Sequence, residues 1–146
     1  MKKIFLVFLA TLIFCAAPVS AQKMKNKKKE KRFEPVVKQT IEEYAGKYVG
    51  IMPDYYLEVV AGADGKLSIV SHEGGRRATL QDIRLAGARL TATRIYTDGT
   101  TKQFEGTFAD RILNGDSRFG MMVENLEIEF EDMTFNRLFY QFVAQP

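Results

Sequence analysis

The chain contains no tryptophan, one cysteine (Cys15), one histidine (His72) and four prolines in 146 residues. A single cysteine excludes an intramolecular disulfide. One histidine, with no cysteine beyond residue 15, leaves too few nitrogen and sulfur ligands for an ordinary zinc site. The acidic residues lack the spacing of an EF-hand loop, so Glu127, Glu129, Glu131 and Asp132 read as a solvated outer face. No apolar run reaches the roughly 20 residues that a spanning helix requires. The longest extends from Ile4 to Ala17 and stops at Pro18.

That run is nevertheless informative. Lys2 and Lys3 precede it, and the small-residue site Val19-Ser20-Ala21 follows it. A positive start, a short apolar middle and a small-x-small site describe a secretory signal peptide over residues 1–21. Cleavage after Ala21 would leave Gln22 first, remove Cys15 and place the product in the periplasm or outside the cell. Phe14, directly before Cys15, is too large for a lipoprotein signal. A competing pattern follows at once in Lys23, Lys25, Lys27, Lys28, Lys29, Lys31 and Arg32. Positive charge on that side of an apolar segment favours an uncleaved anchor facing the cytoplasm. The shortness of the run and Pro18 weigh toward export.

The net charge of +3 comes from the N-terminal part of the chain. Without Lys2, Lys3 and segment 23–32, residues 33–146 hold 12 bases against 17 acids, a net of −5. A nucleic-acid-binding domain carries its positive charge on the folded surface, and this one does not. Segment 22–33 reads as a disordered basic tail with little to bury, suited to weak contact with anionic surfaces. Residues 34–146 read as one domain whose aromatic and aliphatic side chains build a core without staples.

A short helix is expected from Glu34 to Gly46, since Val37, Ile41 and Tyr44 fall at i, i+4 and i+7. After it the period changes to two. Turn signals recur about every 12 residues, at Asp64-Gly65, Gly74-Gly75, Gly87, Asp98-Gly99 and Asn114-Gly115. The strands expected between them cover roughly 46–52, 54–62, 66–72, 76–85, 89–97, 101–112, 117–123, 126–131 and 135–143. Short turns throughout imply an up-and-down order, and closure alone removes both sheet edges. The expected fold is an all-β antiparallel meander barrel of eight or nine strands. Gly106, between Phe104 and Phe108 on one face, suits a tightly coiled strand. Outward Glu127, Glu129 and Glu131 exclude a membrane barrel.

The opening Tyr44-Ala45-Gly46-Lys47-Tyr48-Val49-Gly50, the hairpin Asp64-Gly65-Lys66-Leu67 and the strand Phe104-Glu105-Gly106-Thr107-Phe108 resemble the lipocalin-like, or calycin, barrels of small secreted bacterial domains. Where lipocalins carry Gly-x-Trp, this chain has Gly46-Lys47-Tyr48. The resemblance implies an apolar-lined cup for a small hydrophobic ligand, and it carries no functional residue across.

Catalysis is poorly served. Ser71 and His72 are adjacent on a strand and so point to opposite faces. Arg94 is the sharper candidate. If Leu90, Ala92 and Tyr96 face inward, the period of two turns Arg94 inward too. An arginine fork and a tyrosine hydroxyl on one face can clamp a carboxylate. Intracellular fatty-acid carriers use a similar Arg-x-Tyr pair, on their final strand. The alternatives are an arginine at the barrel mouth or one paired with Asp82 or Glu105. The expected lining comprises Leu57, Val59, Leu67, Ile69, Leu90, Tyr96, Phe104, Phe108, Met121 and Tyr140, with Arg94 as polar anchor. The function expected is non-catalytic and cofactor-free: an exported domain holding an apolar or amphipathic ligand. The alternative is a protein-interaction module with a filled barrel, an inhibitor of an envelope enzyme or an accessory to one.

Overall fold

The period-two segments form strands in the computed structural model, which describes residues 31–144. The leader (1–21) and most of the basic tail (22–30) lie outside the described residues. The strands are β1 Arg32–Pro35, β2 Gly46–Val49, β3 Tyr55–Ala61, β4 Leu67–Glu73, β5 Arg76–Ala86 and β6 Arg89–Tyr96. They continue with β7 Thr101–Leu113, β8 Asp116–Glu124, β9 Ile128–Phe130, β10 Met133–Phe135 and β11 Leu138–Val143.

Eight of them close an antiparallel barrel in the order β7-β6-β5-β4-β3-β2-β11-β8, with β8 pairing back onto β7. Tight turns set the up-and-down order. Asn114 and Gly115 both have positive φ (53° and 87°), the geometry that a two-residue hairpin demands and that this pair of residues tolerates best. Strand β7, 13 residues long, outruns its neighbour β6. Its far end pairs instead with β1, Arg32 opposite Ile112 and Pro35 opposite Ala109. The β1 row thus extends the wall where β6 has ended.

Two expectations are corrected here. The helix from Glu34 does not form: Glu34 and Pro35 lie in β1, and only a one-turn 3-10 helix, Glu42–Tyr44, follows. An isolated helix of this length is marginal in water, and the free edge of β7 offers β1 hydrogen bonds instead. Arg32 and Phe33, expected in the tail, belong to that strand, with Phe33 5.5 Å from the Phe139 ring. The strand expected over 126–131 does not join the barrel. Asn125 (φ 56°) turns the chain away after β8, and β9 pairs only with β10 in a separate two-stranded sheet. Leu126 and Ile128 are buried, whereas Phe130 is exposed.

Segment 36–45 closes one end of the barrel. Tyr44 packs its ring 4.3 Å from that of Phe108, and its hydroxyl accepts a hydrogen bond from the Lys38 amide at 2.7 Å. The Tyr48 hydroxyl donates to the Tyr44 carbonyl at 2.6 Å. Inside, Tyr48, Tyr140, Phe104, Phe108, Leu57, Ile69, Leu90, Met121 and Val123 are all at most 1% exposed. Space that admits water leaves accessible surface on the side chains around it. These show almost none, so the interior is filled by its own residues. Gly106 is part of that fit: a Cβ there would lie 2.7 Å from Met121 Sδ and 3.1 Å from Phe104 Cε1.

Candidate functional site

Alternation along β4 turns Leu67, Ile69, Ser71 and Glu73 to the interior, and alternation along β6 does the same for Leu90, Ala92, Arg94 and Tyr96. The two rows bring four polar side chains together toward the end of the barrel opposite the Tyr44 plug. Arg94 Nε lies 3.3 Å from Glu73 Oε1. Tyr96 donates its hydroxyl proton to Glu73 Oε2 at 2.8 Å, and Ser71 donates to Glu73 Oε1, also at 2.8 Å. Arg94 Nη1 donates to the Tyr96 hydroxyl at 3.3 Å, and the guanidinium carbon stands 5.0 Å from the Phe104 ring centroid.

The cluster has an imbalance. Glu73 is well served, but Arg94 Nε and Nη2 are buried without a hydrogen-bond partner among the described residues. A buried donor left unpaired costs about 1–3 kcal/mol, so this guanidinium has unused capacity for an acceptor. The surrounding tyrosines register the low polarity. Burial is the main cause that raises the pKa of Tyr140, Tyr96 and Tyr55 above the ordinary phenol value. The Glu73 charge raises all three further, while Arg94 opposes the rise at Tyr140 and Tyr96.

Arg94 faces inward as its parity requires, but its partner is neither Asp82 nor Glu105. Asp82 sits exposed in a bulge of β5, and Glu105 pairs outside the barrel with Arg89 at 3.0 Å. Glu73 is the residue that sequence reasoning missed. It continues the inward parity of Leu67, Ile69 and Ser71, so the signal was the same alternation followed one step further. Leu57, Val59, Leu67, Ile69, Leu90, Tyr96, Phe104, Phe108, Met121 and Tyr140 are all buried with Arg94. All but Tyr96 and Arg94 pack against one another in one core cluster, and Leu67 and Val59 also reach surface clefts.

Ser71 and His72 point apart. The His72 ring stacks on Tyr56 outside the barrel, 4.1 Å between centroids, with Nε2 3.3 Å from Glu58 Oε2. Among the described residues no three His, Cys, Asp or Glu side chains converge as metal ligands would. In the acidic stretch after β8, Glu127 pairs with Lys102 at 3.2 Å, and Glu124 at the end of β8 pairs with Arg137 at 3.7 Å.

A surface cleft of about 610 Å³ lies away from this cluster, where the first residues of β4 face the second half of β5. Comparison of the chain with protein-family models, curated proteins and solved structures finds no match in any of the three.

Proposed function

We propose that this chain is a non-catalytic protein-interaction module: a rigid, self-filled barrel, exported by its N-terminal leader, that engages an envelope or extracellular partner through its outer surface. The observation that carries the reading is the interior itself, where the large side chains are at most 1% exposed and packed in one core cluster. To take an apolar ligand, the barrel would have to separate side chains already in contact and forfeit their packing. Export rests on Lys2, Lys3, the apolar run and Val19-Ser20-Ala21, and the lysines of segment 23–31 supply attraction to anionic surfaces.

Arg94 favours a second reading. Its unpaired Nη2 suits the carboxylate or another acceptor of a small amphipathic ligand, with Tyr96 beside it and the apolar lining beyond. In that case the barrel opens to admit the ligand.

Native mass spectrometry of the full chain expressed with its leader in a Gram-negative host, before and after organic extraction, separates the two. The module reading expects a bare polypeptide mass and a melting temperature unmoved by palmitate. An added mass of small-molecule size lost on extraction, or a rise of several degrees with palmitate at about 100 times Kd, overturns it in favour of the ligand carrier.

A further inference from the structure

The barrel wall opens in a seam along part of the boundary between β4 and β5. Pairing of β4 with β5 is confined to Val70–Glu73 against Arg76–Thr79. Strand β5 nevertheless runs on to Ala86, paired with β6 alone. Leu67–Ile69 and Gln81–Ala86 therefore face each other without a ladder. The cause is local. Gln81 pairs with Thr93 and Arg84 with Thr91, so β5 holds one residue more than β6 across that interval. Asp82 takes up the excess in the left-handed region, φ 52°, where a non-glycine residue is uncommon.

Main-chain polar groups point into this seam. The Lys66 carbonyl accepts from Gly62 on the β3 side, so its neighbour Leu67 presents N–H and C=O to the β5 side. Across the gap, Arg84 and Ala86 pair with β6, which turns the N–H and C=O of Ile83 and Leu85 toward β4. Two converging strand edges with unpaired groups form a template for an added strand. The walls are apolar where they meet the core, through Leu67, Leu80, Ile83 and Leu85. At the rim stand Lys66 on one wall and Asp82 on the other, neither in an ion pair among the described residues.

We propose that the seam between β4 and β5 receives an extended segment of a partner protein as an inserted strand. This rests on the module reading above and names where such a partner docks. The segment spans about three to five residues, set by the roughly 3.4 Å rise of a strand over Leu67–Ile69. It is apolar at alternate positions facing the core and polar between them, with one acid and one base to meet Lys66 and Asp82. The cleft of about 610 Å³ accommodates it, with Ile41 from the plug segment against its inner side.

The test uses the 15N-labelled full chain and a capped heptapeptide, Thr-Val-Glu-Val-Lys-Val-Thr, at about 1 mM, the weak end of specific binding. The expected result is shifts and slowed exchange at the amides of Leu67, Ile83 and Leu85. The same peptide N-methylated at its Glu and Lys should bind at least about tenfold more weakly, since one lost main-chain hydrogen bond in a closed site suffices for that. Equal binding by the methylated peptide, shifts confined to other surfaces, or no shift at all overturns the proposal. So does a second copy of the chain filling the seam, seen as concentration-dependent association with the same amides protected. If a partner isolated from envelope extract binds Ile83→Asn, shown folded by circular dichroism, as tightly as the parent chain, the seam proposal falls and the module reading stands. A small molecule released on extraction removes the module reading whatever the seam does.

Discussion

Arg94 and Glu73 form an ion pair inside the barrel, Nε to Oε1 3.3 Å, with the arginine side chain 2% exposed and the glutamate 13%. Such a pair is sensitive to losing one member, because the survivor is left as an uncompensated buried charge. Glu73→Gln preserves the shape but keeps one acceptor oxygen where the carboxylate has two, so Ser71 and Tyr96 no longer each donate to an oxygen of their own, and it strands the guanidinium. It should cost about 3–5 kcal/mol in urea unfolding. Replacing both, Arg94→Met with Glu73→Leu, should cost less than Glu73→Gln alone. A double variant as unstable as the sum of its singles would mean the two side chains are not coupled.

Alkaline pH should unfold the barrel through its buried tyrosines. Tyr48 and Tyr140 are 0% and 1% exposed, and burial above all holds their pKa well above the ordinary phenol value. In the unfolded chain they ionise near pH 10. Above that pH the unfolded state binds fewer protons than the folded one, so stability is complete below pH 10 and falls as pH rises. Two such groups give a slope of up to about 2.7 kcal/mol per pH unit above pH 10. Tyr140→Phe should leave stability at pH 7 within about 1 kcal/mol and roughly halve that slope. Guanidinium titrations at a series of pH values between neutral and strongly alkaline read both. An unchanged slope would assign the alkaline transition to other groups.

Most of the barrel was legible because period-two alternation and turn chemistry act locally. Leu67, Ile69, Leu90, Phe104, Phe108 and Met121 all face the way their parity requires. The parts that escaped depend on distant chain. Strand β1 exists because β7 is longer than β6, which nothing in Arg32–Pro35 announces. Leu126, Ile128 and Phe130 alternate like a barrel strand, but β11 already occupies the second edge of β8. Whether the interior is hollow depends on how side-chain volumes meet across the barrel, and a one-dimensional pattern holds no such information. At the site, Arg94 and Tyr96 were readable, whereas Glu73 required carrying the β4 parity past Ser71 to the end of its strand.

The filled interior makes Gly106 a position where one methyl matters. Phe104 and Phe108 flank it on the same face, and Met121 occupies the space a side chain would take, with Sδ 2.7 Å from an ideal Cβ. Gly106→Ala gains strand entropy but must displace Met121 from a well-packed wall. Overpacking of this kind costs about 1–3 kcal/mol. Met121→Ala in the same chain makes room for the methyl, so the double variant should be more stable than the sum of its singles predicts. Additivity in urea unfolding would show that the wall yields freely there, and would weaken the argument that the barrel is rigid.

Removing Asp82 should close the seam. With Asp82 deleted, Gln81, Ile83, Arg84 and Leu85 follow without a break in alternation, Gln81 and Arg84 outward and Ile83 and Leu85 toward the core. The left-handed residue disappears along with its strain, of order 1 kcal/mol or more. The register then lets the β4–β5 ladder continue past Val70 and Thr79, so that Ser68 comes opposite Gln81 and Leu67 opposite Ile83. Hydrogen exchange should show new protection at Leu67 and Ile83, and the heptapeptide should no longer bind. Protection without loss of peptide binding would place the peptide elsewhere on the barrel. Exchange as fast as in the parent chain would mean that the segment carrying Ile41, rather than the bulge, keeps the strands apart.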